Sequence, residues 1–247
     1  MFVDHSFLLE LWTVQKTYST INLNVKVRES LLNGKFITFE GPDGAGKTTV
    51  MNKVVEQFRQ EIGDQLLVTR EPGGNKISEQ IRRVILDRDN TEMDYRTEAL
   101  LYAAARRQHL VETIIPALEA NKLVLCDRYV DSSVAYQGSG RQIGMQQVAR
   151  MNEFATENLM PFKTIYFDIP VEVGLNRIAE HRDRSKIDRL DVETIQFHKR
   201  VHQGYMKVRE HYQDRYISID ATQSFDQVVS ETIKIIHRIA SDYFKES

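Results

Sequence analysis

Lys35-Phe36-Ile37-Thr38-Phe39-Glu40-Gly41-Pro42-Asp43-Gly44-Ala45-Gly46-Lys47-Thr48-Thr49 runs from an apolar segment, through a glycine-rich loop, into a segment of helical periodicity. It matches the pattern G-x-x-x-x-G-K-[ST] in full, in the strand-to-helix setting that gives the pattern its meaning. Glycines let backbone N–H groups converge on phosphate oxygens, and the following helix turns its positive end toward them. A lysine at position 47 reaches the outer phosphates of a nucleoside triphosphate, and a hydroxyl at Thr48 is suited to Mg²⁺. The residues expected to hold ATP are therefore Gly41, Pro42, Asp43, Gly44, Ala45, Gly46, Lys47, Thr48 and Thr49.

Working outward, short apolar runs at 35–40, 66–70, 123–127, 164–168 and 216–220 each end in a charged residue. Segments of helical periodicity lie between them, at 49–61, 77–86, 97–120, 148–159, 171–180, 192–211 and 225–243. This alternation predicts an α/β protein with a five-stranded parallel sheet and helices on both faces, a three-layer arrangement. Ligands of such sheets bind at the carboxyl ends of the strands, so the residues following each run are the informative ones.

Composition narrows the function. The chain has 247 residues, 41% of them hydrophobic, 28% charged, with a net charge of −2. That balance argues against a nucleic-acid coat protein. No apolar run is long enough to span a membrane. A single cysteine, Cys126, excludes a disulfide scaffold. His198 and His202 lie four apart on one expected helix, with no third metal ligand apparent.

The motif of a GTPase, Asn-Lys-x-Asp, is missing, as is a long apolar strand ending in Asp-Glu. Instead the second run enters Arg70-Glu71-Pro72-Gly73-Gly74, and the third enters Asp127-Arg128-Tyr129. Two arginines at strand ends beside a phosphate loop suit a second, phosphorylated substrate held bidentately. The structural alternative is ion pairing of Arg70 with Glu71 and of Arg128 with Asp127.

These motifs, followed by Val130-Asp131-Ser132-Ser133-Val134-Ala135-Tyr136-Gln137-Gly138, resemble thymidylate kinases of the bacterial type. The segment from Arg96 to Arg107 is similar to the family's base-binding helix, and Val173-Gly174-Leu175-Asn176-Arg177 to the helix that leads to its lid. The resemblance implies a P-loop kinase fold with a short basic lid at about 179–191. It implies transfer of phosphate from Mg²⁺-ATP to dTMP on the route to dTTP for DNA replication, a cytoplasmic homodimer, and no membrane or nucleic-acid partner. By the same resemblance Arg70, Glu71, Arg82 and Arg128 line the acceptor phosphate side. Tyr102 takes the position of the ring that stacks on thymine, usually Phe, and adds a hydroxyl that needs a partner. Arg106 matches the arginine that bonds the base, Ser133 and Gln137 the groups that read its edge, and Tyr136 the ring beneath the deoxyribose. Asp43 corresponds to the carboxylate near the acceptor sugar, and Asp127 to an outer group of the Mg²⁺ site.

The variable loop positions Pro42, Asp43, Gly44 and Ala45 carry no base, yet the migrating phosphoryl group needs cationic stabilisation. The run at 182–189 supplies Arg182, Arg184, Lys186 and Arg189, and Arg182 or Arg184 is the expected catalytic cation beside Lys47, Asp43 and Arg128. Arg141 is a further basic residue on the acceptor side. A deoxynucleoside kinase and a non-catalytic ATP-binding module are the competing readings. The resemblance covers 32–247 and leaves 1–31 as an N-terminal extension. That extension is expected to be poorly packed, or to precede a true start at Leu31 or Leu32.

Overall fold

The computed structural model describes residues 32–181, 189–190 and 193–244. In chain order the elements are β1 (Lys35–Glu40), α1 (Lys47–Ile62), β2 (Leu66–Arg70), α2 (Lys76–Leu86) and α3 (Tyr95–His109). Next come α4 (Ile115–Glu119), β3 (Leu123–Asp127), α5 (Val130–Ser133), α6 (Met145–Thr156), β4 (Lys163–Asp168) and α7 (Val171–His181). The last are α8 (Ile195–His211), β5 (Tyr216–Asp220) and α9 (Phe225–Ile239). The strands form one sheet in the order β2-β3-β1-β4-β5, with every neighbouring pair parallel.

Alternation along the strands divides the core into two layers. Ile37, Phe39, Leu123, Leu125, Ile165 and Phe167 face α1 and α9, where Val54, Phe58, Val228 and Ile236 meet them. Phe36, Val124, Cys126 and Tyr166 face the other way, toward Leu110, Ile114, Val148, Phe197 and Val201. β3 is buried along its whole length, as expected of a central strand covered on both faces. Because all strands run the same way, Glu40, Arg70, Asp127, Asp168 and Asp220 end on one edge of the sheet.

Several helices differ from their sequence expectation; the last, α9, ends at Ile239, four residues short of it. The segment 97–120 divides at a π-helical stretch, Leu110–Ile114, which widens the backbone just ahead of Pro116 in α4. Proline has no N–H to donate and its ring crowds the preceding turn, so a wider turn relieves it. α6 starts three residues earlier than expected, after Gly144 at φ 112°, and ends where Glu157 and Asn158 turn left-handed. α8 starts at Ile195, because the Thr194 side chain accepts the first-turn N–H of Phe197. The stretch from α5 through the π-helical Val134–Gly140 was not expected as helix from periodicity, because nearly all of it is buried, its polar Asp131, Ser132, Ser133 and Gln137 included, and no solvent-exposed face marks the helical repeat.

Candidate active site

α1 opens on Gly46, left-handed at φ 80°, with no side chain capping its first turn. α2, α3 and α8 instead begin with Asn75, Asp94 and Thr194 accepting first-turn N–H groups. The uncapped positive end of α1 is thus left to an anion. The loop is held tightly from below: a Cβ on Gly44 would stand 2.0 Å from the Gly174 carbonyl oxygen, and one on Gly174 2.6 Å from that of Asp43. Glycine at both places is what lets α7 lie against the phosphate loop.

Lys47 is buried, its ammonium donating to the carbonyls of Gly41 at 2.9 Å and Pro42 at 2.8 Å. Burial, seconded by the charge of Arg128, lowers its pKa to about 8 against the pull of Asp43, Asp127 and Glu40. Thr48 Oγ1 donates to Asp127 Oδ2, while Asp127 Oδ1 is buried without a partner. A hydroxyl and a carboxylate with one unused oxygen, side by side at the phosphate loop, are the hard oxygen donors that Mg²⁺ takes. The residues present fit the ion.

Arg128 is the centre of the site. Its backbone is left-handed at φ 70°, a strained conformation for an arginine that the surroundings must impose. Nη2 donates to Asp43 Oδ1 at 2.6 Å and to the Tyr136 hydroxyl at 3.2 Å. Nη1 donates to the Gly41 carbonyl, the Ser132 hydroxyl and the Tyr205 hydroxyl. Tyr136 closes the ring by donating to Asp43 Oδ2 at 2.6 Å, and its face lies under the guanidinium. Burial works to raise the Asp43 pKa. The charges of Arg128 and Lys47 and the Tyr136 hydrogen bond outweigh it and hold the carboxyl below its usual range.

Sequence reasoning missed what supports Arg128. Glu40, wholly buried at the end of β1, accepts from the Tyr129 N–H at 2.7 Å, the Ser132 hydroxyl at 2.6 Å and the Tyr205 hydroxyl at 2.9 Å. The same two hydroxyls receive Arg128 Nη1. Burial and the nearby Asp131 push Glu40 up to about 7, against Arg128 and the hydroxyl donors. The one available sequence signal was an acidic residue inside an apolar strand.

On the acceptor side neither anticipated ion pair forms. Arg70, exposed, pairs with Glu79 at 2.7 Å, and Arg128 pairs with Asp43. Glu71 turns inward instead, receiving Arg106 Nε at 2.7 Å and facing His109 Nδ1 at 3.0 Å. Thr69 Oγ1 meets the other nitrogen of His109 at 2.6 Å. Arg106 also donates to the Ser133 hydroxyl, Asn152 Oδ1 and the Tyr129 carbonyl. Arg82 donates to the Pro72 carbonyl at 2.8 Å, and the Glu71–Pro72 peptide is cis.

One cleft of about 1290 Å³ joins the two halves. That exceeds the range of roughly 300–1,000 Å³ usual for a single small ligand. It is lined by Asp43–Thr49 on one side and by Arg70, Glu71, Arg82, Tyr102, Arg106, Ser133, Tyr136 and Gln137 on the other, with Asp127 and Arg128 between. Beyond the phosphate loop it continues past Arg177, Ala221, Gln223 and Phe225, none of which the sequence reading assigned to the site. Arg177 is tethered there by a 2.9 Å bond to the Ala221 carbonyl. Of the basic run, Arg182, Arg184 and Lys186 lie outside the described residues. Arg189 is described, and it is buried: it donates to Glu98 Oε2 at 2.5 Å and to the Ile85 carbonyl at 3.1 Å.

Comparison with known proteins gives the family. The family model described as Thymidylate kinase matches residues 39–232. A thymidylate kinase from Levilactobacillus brevis is 61% identical over 213 residues, covering 86% of this chain and all of the relative. One from Pediococcus pentosaceus is 59% identical over 208 residues, 84% of this chain and 99% of the relative. The crystal structure of thymidylate kinase from Ehrlichia chaffeensis superposes with a TM-score of 0.66 at 29% identity, covering 82% of this chain and 98% of that one.

Proposed function

The chain belongs to the thymidylate kinase family, and on that premise we propose how its cleft carries the terminal phosphoryl group of ATP to dTMP, giving ADP and dTDP. The observation that carries the reading is Arg128, fixed by five acceptors and ring contacts between the phosphate loop and the acceptor half. A rigid planar cation at that junction suits the phosphate of the acceptor and the charge spread across the transferring group.

ATP lies with its phosphates on the glycine loop and Lys47, and with its base toward Arg177 and Phe225. The acceptor lies toward Arg70, Arg82 and Arg128, with Tyr136 beneath the sugar and Tyr102, Arg106, Ser133 and Gln137 around the base. Thr48 and Asp127 would hold Mg²⁺, which would supply neutralisation of the phosphate charge. The dTMP phosphate is already nucleophilic at neutral pH, so no general base is called for. Asp43, held ionised by Arg128 and Tyr136, serves to place those two groups and to meet the acceptor sugar. The competing deoxynucleoside kinase reading needs a carboxylate free to take the proton of a sugar hydroxyl, and Asp43 is already engaged by Arg128 Nη2 and the Tyr136 hydroxyl. Arg182 or Arg184 is the proposed cation on the migrating group. Alanine at the true one lowers kcat strongly with little change in the KM for dTMP.

The protein works as a cytoplasmic homodimer in this reading. Leu100 on α3, Val111 on the π-helical stretch that follows it and Phe154 on α6 are exposed apolar side chains, with Phe154 90% exposed. Among the described residues no helix is long and apolar enough to cross a membrane. A coupled ADP-release assay with dTMP, dUMP, dGMP and thymidine tests the activity. Turnover is expected with dTMP, and phosphorylation of thymidine but not dTMP ends the reading.

A further inference from the structure

Glu98 sits in the first turn of α3 with its side chain fully buried. Donors surround its carboxylate: Arg141 Nε at 3.2 Å and Nη2 at 3.1 Å, Arg189 Nη2 at 2.5 Å, and Gln137 Nε2 at 2.9 Å. A carboxylate between two guanidiniums is an acceptor only. Gln137 therefore turns its amide N–H to Glu98, and the opposite orientation would set oxygen against oxygen. With Nε2 engaged, the carbonyl Oε1 is the polar atom that Gln137 brings to the cleft it lines. The described residues show no partner for it.

A fixed acceptor at that place complements an N–H on the pairing edge of the base. Thymine and uracil carry N3–H there, whereas cytosine carries a lone pair at N3 and an amino group at C4. We propose that Glu98 is a positioning residue for base selection: by locking the Gln137 amide it makes the cleft take a 2,4-dioxopyrimidine monophosphate and reject a 4-aminopyrimidine one. This rests on the cleft being the dTMP site. If Glu98 served only to neutralise Arg141 and Arg189, its loss would lower stability without changing which base is accepted.

The test is kcat/KM for dTMP, dUMP and dCMP in the full chain and three variants. In Glu98→Gln the new amide satisfies Gln137 in either orientation. The dTMP-to-dCMP preference is then expected to fall by about tenfold or more, as when a buried hydrogen-bonding match is lost. The dTMP-to-dUMP preference stays unchanged, because both bases carry N3–H. Glu98→Asp keeps a charge for the arginines but draws the carboxylate back by roughly one bond length, ~1.5 Å. It carries the same expectation should Glu98→Gln not fold. Arg141→Gln disturbs the same ion pairs and leaves the Gln137 contact, so its dTMP-to-dCMP preference should match the wild type. An unaltered preference in the folded Glu98 variants overturns the proposal, as does an equal fall in Arg141→Gln. Failure of the wild type to phosphorylate dTMP overturns the site assignment instead.

Discussion

At the scale of single residues the site is a set of opposed pKa environments. Glu40 titrates near 7 in the folded chain against an ordinary value of 4.5. The folded state therefore holds a proton that the unfolded state has released, and this contribution to stability is full below about pH 4.5 and lost as pH rises toward 7. Glu40→Gln mimics the protonated form, and urea unfolding across pH 4.5–7.5 should show its stability flattened relative to the wild type. The difference in slope amounts to roughly 2–3 kcal/mol over the window; parallel curves would show that Glu40 does not titrate there. Lys47 moves the other way, to about 8, because its ammonium is buried. ATP binding measured calorimetrically without acceptor should weaken as pH passes 8 and the lysine loses its charge. A flat profile to pH 9.5 would mean the ammonium persists.

At the scale of elements, α3 carries Glu98, Tyr102, Arg106 and His109 to the acceptor side on one rigid rod. Its start is fixed by Asp94, whose carboxylate accepts from the N–H groups of Arg96 and Thr97. Asp94→Ala should cost about 1 kcal/mol, seen as a melting temperature lower by about 2–4 °C. KM for dTMP should hardly change, because packing of α3 against α2 and α6 holds the rod in place. A large rise in KM would mean that the cap itself sets the register of the base-side residues. The elements were mostly legible beforehand. The five strands stood out as apolar runs closed by Glu40, Arg70, Asp127, Asp168 and Asp220, most sharply β3, which is buried along its whole length. The segment Val134–Gly140 was not legible as helix, since burial on every side erases the 3.6-residue rhythm that marks a surface helix.

At the scale of the whole molecule, family likeness begins close to β1. The L. brevis relative is covered in full by 86% of this chain. Leu32 packs against the core cluster at the near edge of the fold. A protein spanning 32–247 is therefore expected to melt within a degree or so of the full chain, on the scale where ~1 kcal/mol moves Tm by ~2–4 °C, and to phosphorylate dTMP at the same kcat/KM. A loss of several degrees would assign residues 1–31 a packing role.

The position of the phosphate loop and of the two strand-end arginines was legible in the sequence alone, because it is local: a strand, a turn and a helix start set where these residues fall along the chain. Direction and partnership were decided only by tertiary structure. Glu71 follows Arg70 directly yet turns inward to Arg106 and His109, while Arg70 reaches out to Glu79. Arg128 takes Asp43 and not its neighbour Asp127. Glu40 finds the hydroxyl of Tyr205 across 165 residues of chain, and Glu98 gathers Gln137, Arg141 and Arg189 from two later segments. A buried charge must collect its partners wherever the fold brings them. Spacing along the chain carries no record of a meeting made by crossovers of a parallel sheet.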